Sequence, residues 1–334
     1  MKKAVFIVAL VSFVLLAFSV QAQDWKPKKP ITIIVPWGAG GSTDQITRLT
    51  AGILEPKLGQ KIVIVNQPGA SGSVGTNSVL QAPRDGYTWA SGAAADLGTY
   101  KIQGMLDTVM QDWTLFLTVA NIQVFAVNAN SPYKTMDDLL KAFKDRPGQI
   151  PVATAGQSSA GHIAIETLKK YTGITYKHVT YDGGNPAVIA CVSGEAEVVP
   201  QLAVEEADML RGGRLRALAV LDNKPLTIKG LADPIPPITK WIPAYKPGSN
   251  YFGIFLPKDT PPEVIYTLGK LWIEVVKTSP EIQTYALERG AVFDPSYGET
   301  AQTKAFAYLQ PVAWLYYEGG KAKISPDTVG IPKP

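Results

Sequence analysis

Two glycine-rich stretches carry the residue types that could grip or transform a small molecule. The first is Trp37-Gly38-Ala39-Gly40-Gly41-Ser42-Thr43 and the second is Gly156-Gln157-Ser158-Ser159-Ala160-Gly161-His162. Glycines let the backbone approach another molecule closely. Ser42 and Thr43 add hydroxyls, and Trp37 is expected to wall the ligand, covering the hinge being the alternative. Where such a loop opens a helix, the first-turn N–H groups are unpaired and the dipole end is positive, so an anion is the natural guest. Nucleotides do not fit: no Lys-Ser or Lys-Thr follows the glycines, and the spacing is not Gly-x-Gly-x-x-Gly. A serine nucleophile at Ser158 or Ser159 fits poorly. Gly156 and Gly161 are five apart, not Gly-x-Ser-x-Gly, and two histidines cannot complete a Ser-His-acid order. A small carboxylate is the expected guest, with Ser42, Thr43, Ser158 and Ser159 acting as helix caps, ligand donors or both.

Other candidates are placed by the same logic. Tyr181, Asp182 and Asn185 stand on a glycine-flanked loop and are expected to read the far end of the ligand, with Gln201 just after a strand end. Asp44 is expected to stabilise the first helical turn or shape the loop. His162 and Glu166 share the i, i+4 spacing of some metal sites, but His162 is expected to bond backbone near its loop. No metal and no cofactor is expected.

The elements that must hold these residues follow from hydrophobic pattern. Ile31–Val35 is a β-branched run, ended by Pro36, which has no N–H for a ladder. Ser42-x-x-Gln45 has the form of a capping box, and Ile46, Leu49, Ile53 and Leu54 fall on one helical face before a stop at Gly59. Lys61–Val65 is a second strand, followed by a loop through Ala70, Ser71 and Gly72 and a helix over 74–80. Tyr87–Ala90 is a third strand, and the small residues of 91–98, including Ala94 and Asp96, read as its loop. In parallel α/β sheets ligands sit beyond the carboxyl ends of strands, so these loops should line one mouth. Val152–Ala155 opens a second unit, with a helix over 162–171, a strand over 176–179 and Asn185-Pro186 suited to a helix start. Residues 222–250 are rich in proline and form an irregular excursion. Helices are expected over 261–277, 280–289 and 298–317.

The bulk numbers bound the rest. Met-Lys-Lys, an apolar run to Val20 and Val20-Gln-Ala22 make residues 1–22 a cleavable signal peptide, too short an apolar run for a span of about 20 residues. The mature chain would keep 30 Lys and Arg against 28 Asp and Glu, too even a balance for nucleic acid. Some 310 residues exceed one core, so two domains are expected. The only cysteine, Cys191, cannot form an internal disulfide and reads as a buried helix residue.

Over the mature length the sequence resembles the extracytoplasmic solute receptors of tripartite tricarboxylate transporters, the Bug receptors. The resemblance rests on Pro30-Ile-Thr-Ile-Ile-Val-Pro-Trp-Gly-Ala-Gly-Gly-Ser-Thr-Asp44, on 58–75, and on Asp85-Gly-Tyr-Thr88, Pro147-Gly148, Gly161-His162, His178-Val179 and Leu215–Val220, in that order. Asp182 stands where a lysine is common. The resemblance implies an α/β, two-lobed, periplasmic-binding-protein type II fold with two crossover strands: 23–124 and 252–334 in lobe 1, 125–251 in lobe 2, with packing of the last helix on lobe 2 as the alternative for that helix. It implies a monomeric periplasmic receptor that closes on a small organic carboxylate and delivers it to membrane subunits of the transporter, with no chemistry of its own. A sensor that reports the same ligand to a signalling partner and an exported serine hydrolase are the alternatives.

Overall fold

The computed structural model describes residues 24–334. The signal-peptide expectation for residues 1–22 lies outside them. The β-branched runs form two sheets built on one plan. The first has the order β2 (Ile62–Asn66), β1 (Ile31–Val35), β3 (Thr88–Ala93), β10 (Asn250–Pro257), β4 (Trp113–Asn121) and β11 (Val292–Tyr297). The second has the order β7 (Lys177–Thr180), β6 (Pro151–Thr154), β8 (Val198–Val199), β5 (Val124–Asn128) and β9 (Leu215–Val220). In each, three strands run parallel with the earliest of the three in the middle, and the other strands join by antiparallel pairing. The chain leaves the first sheet after Asn121, enters the second at Val124, and rejoins the first at Asn250.

The parallel strands feed helices from their carboxyl ends: α1 (Ser42–Leu58), α2 (Ser73–Gln81) and α3 (Ala94–Gln103) in the first unit, then α4 (Met136–Asp145), α5 (Ala160–Thr172), α6 (Gly184–Ser193) and α7 (Ala203–Arg211) around the second. The helices α8 (Pro262–Leu271), α9 (Pro280–Arg289) and α10 (Gly298–Glu318) close the chain. Ile31, Ile33, Trp89, Phe116 and Trp272 sit in one core; Phe125, Val152, Ile165 and Val198 sit in another. Helix α10 touches both units, because Tyr308, Leu315 and Tyr316 share a buried cluster with Ala95 of α3 and Ile163 of α5. Cys191 is buried in α6. No helix among the described residues is long and apolar enough to cross a membrane.

Three local expectations need correcting. The stretch 91–98 is not a loop: β3 runs to Ala93 and α3 starts at Ala94, with Gly98 inside the helix where it faces Leu309. Ser42 is not the cap of α1 but its first residue; the N-cap is Gly41, which has no side chain to offer. Asn185 likewise lies inside the first turn of α6, which begins at Gly184.

Candidate functional site

The two units face each other through the carboxyl ends of their parallel strands, and the loops there touch across the interface. The Gly38 amide donates to the Asp182 carbonyl at 3.0 Å. The Gln157 amide donates to Ser71 Oγ at 2.9 Å, and Ser158 Oγ donates to the Ser71 carbonyl at 3.0 Å. The Ser42 amide donates to Glu205 Oε1 at 2.9 Å. Close approach requires glycine here: a Cβ on Gly38 would lie 2.6 Å from the Asp182 oxygen, and one on Gly184 would lie 2.1 Å from Glu205 Oε2.

Between these contacts lie two chambers, and Trp37, only 8% exposed, lines both. The inner one, about 30 Å³, is formed by Gly41, Ser42, Thr43, Asp96, Ser159 and Gln201, together with Ala155, Ala160, Gly184, Leu202, Glu205 and Phe252. That is room for one or two water molecules. The outer one, about 290 Å³, is lined by Gly69, Ala70, Ser71, Gly156, Gln157, Thr180, Tyr181 and Asp182. Ala70 and Ser71 hold left-handed backbone angles at its wall, φ 44° and 55°, conformations that non-glycine residues adopt at a cost.

The predicted residues therefore divide. Trp37, Gly41, Ser42, Thr43, Asp96, Ser159 and Gln201 meet in the inner chamber; Ala70, Ser71, Gln157, Tyr181 and Asp182 meet in the outer one. Seven others line neither, Gly38 aside, whose amide is spent on Asp182. Ala39 and Gly40 are exposed at the rim, with Asn185 Nδ2 packed near Gly40. Gly72 backs the Trp37 ring, and Ala94 is core. Ser158 spends its hydroxyl on Ser71, and His162 is fully buried. His162 Nδ1 bonds the Gln157 carbonyl at 2.5 Å, its ring stacks on His178 at 4.5 Å, and burial with the His178 charge pushes its pKa down to about 4. Among the described residues neither serine bonds a histidine ring; Ser159 Oγ donates to the Gly156 carbonyl and accepts from the His162 amide.

Glu205 escaped sequence reasoning. It stands in the first turn of α7, just past β8, and supplies to α1 the cap that Gly41 cannot. An acidic pair, Glu205-Glu206, following a strand end that already carried the candidate Gln201 was the available signal. Burial pushes the Glu205 carboxyl above its usual range, opposed by hydrogen bonds from the Ser42 amide and hydroxyl. Burial pushes Asp96 up further, against a hydrogen bond from the Trp37 side chain. No lysine or arginine lines the inner chamber. The donors it can offer an anion come from helix ends: Thr43 and Ala160 line it from first turns, where amides have no partner within their own helix.

Comparison with known proteins gives this geometry a context. A family model described as the tripartite tricarboxylate transporter family receptor matches residues 46–312. The chain is 29% identical over 299 residues to the protein BugT of Bordetella pertussis, covering 88% of this chain and 89% of BugT. Its fold is similar to that of the periplasmic binding protein BugD, with a TM-score of 0.79 at 24% identity over 89% of this chain and 99% of that one. It is similar too to the R. palustris protein Rpa4515 with adipate, with a TM-score of 0.79 at 25% identity and the same coverage.

Proposed function

We propose a function for a chain that belongs to the tripartite tricarboxylate transporter family of receptors: it is a periplasmic solute-binding protein that closes on a small organic carboxylate and presents it to the membrane subunits of such a transporter. It works as a monomer of two lobes, 23–121 with 250–334 and 124–249, exported by the signal peptide at 1–22. The observation that carries this reading is the inner chamber, where helix N-termini from both units converge without any Lys or Arg. Glu205 displays the mode of grip, a carboxylate oxygen on the first amide of α1. The guest's carboxylate takes the remaining first-turn amides of Thr43, Ala160 and Gly161, with Ser159 beside them and Trp37 as the wall. The protein binds without transforming: the hydroxyls of Ser158 and Ser159 are engaged by backbone.

A 30 Å³ chamber is too small for a C4 acid, so the guest enters when the lobes part and the walls settle around it. The relative solved with adipate supports a carboxylate guest of that order of size. A thermal-shift panel on residues 23–334, with mono-, di- and tricarboxylates, aromatic acids and neutral amides of matched shape, tests the reading. A carboxylate at a hundred times its dissociation constant should stabilise by about 2.7 kcal/mol. Stabilisation by the neutral amides alone would refute it.

A further inference from the structure

The inner chamber holds one buried donor and one buried acceptor that no other described residue pairs with. Gln201, 1% exposed, leaves its Nε2 without a partner among the described residues, and Glu205 leaves Oε2 in the same condition. Two carboxyl groups, Glu205 from one unit and Asp96 from the other, line that chamber, where no cationic side chain answers them. Facing them are the first-turn amides of α1 and α5 and the amide group of Gln201. A second carboxylate on the guest would meet Glu205 or Asp96 at short range in a desolvated space, which is repulsive. A group with N–H donors and a positive charge would satisfy Glu205 Oε2 and cancel the carboxyl excess.

We propose that the guest is an amino-carboxylate: its carboxylate lies on the helix N-termini and Gln201, and its ammonium is read by Glu205 with Asp96 on the opposite wall. This rests on the carboxylate-receptor reading and narrows it to one chemical class. Glu205 then has two faces, one oxygen fixing α1 and the other selecting the ligand. Both carboxyls are pushed up by burial in this structure; a bound ammonium restores their ionised form, so the cation and the two acids stabilise one another.

Calorimetry with acids paired to differ only by an ammonium group tests this: alanine and propionate, aspartate and succinate, 2-aminoadipate and adipate. The amino member of at least one pair should bind tighter by about tenfold or more, the discrimination that one charge-assisted hydrogen bond in a dry site supplies. Glu205→Gln should close the ratio between the amino and the plain acid, whatever it does to the affinity of both, and Asp96→Asn should narrow that ratio too. Circular dichroism and melting identify a variant that fails to fold, and the wild-type pairs alone then decide. Equal or tighter binding of the plain acids overturns the inference and leaves the carboxylate receptor standing, as does a gap that both folded variants retain. Silence from all six acids overturns the inference, and the receptor reading falls with it only where the wider carboxylate panel is silent as well.

Discussion

The amide of Ser42 and the carboxylate of Glu205 meet across 163 positions of sequence, and that one contact joins a helix end, a lobe interface and a ligand chamber. Its neighbour Glu206 is fully buried, accepts from the Gln201 backbone N–H at 3.0 Å through Oε1, and leaves Oε2 unpaired among the described residues. Burial pushes the Glu206 carboxyl well above the usual range, and the Glu205 charge adds to it. A carboxyl whose pKa is raised on folding holds its proton longer in the native state, so its burial costs nothing below the ordinary carboxylate pKa and destabilises progressively as pH rises above it. Glu206→Gln keeps the shape and removes the charge. Its melting temperature should match wild type near pH 4 and exceed it increasingly toward pH 8, by about 1–3 kcal/mol of stability. A constant difference across that range would mean that Glu206 does not carry the penalty.

At the level of elements, what the sequence disclosed was the part written in local periodicity. The runs Ile31–Val35 and Ile62–Asn66 are dense in β-branched residues and are strands; Gly59 sits at φ 67° as the stop of α1. What it hid was written non-locally. The Ser-x-x-Gln spacing after Gly41 looked like a capping box because the true cap, Glu205, has no local signature. The small residues of 91–98 looked like a loop because a buried helix packed tightly on another also needs small residues. Gly98 shows why: a Cβ there would lie 2.2 Å from Leu309 Cδ2, where α3 meets α10. Gly98→Ala should therefore lower stability by about 1–3 kcal/mol despite the better helix propensity of alanine. Denaturant melts would measure it, and a stabilised variant would show that the helices can separate freely. The site divided in the same way: the residue types were legible, but the split into two chambers depends on where the Trp37 ring lies.

For the whole molecule, the proposed function requires the two units to part and close about the few connections between them. Gln123, in the passage from β4 to β5, donates from Nε2 to the Tyr308 hydroxyl of α10 at 2.7 Å, and both side chains are buried. Tyr308→Phe leaves that donor unpaired and should cost about 1–3 kcal/mol, read as a lower melting temperature; an unchanged melt would show that water replaces the hydroxyl. The cross-cleft bonds at Gly38, Ser42, Gln157 and Ser158 define the closed form. In the proposed receptor, helix ends rather than basic side chains hold the guest once the lobes have parted and settled around it. A crystal structure of the mature protein with its bound acid tests it most directly. The expected result is a guest carboxylate within about 2.7–3.2 Å of first-turn amides of α1 or α5, behind Trp37. A lysine or arginine bonded to that carboxylate, or a guest seated wholly among Ser71, Gln157 and Asp182 in the outer chamber, would contradict it.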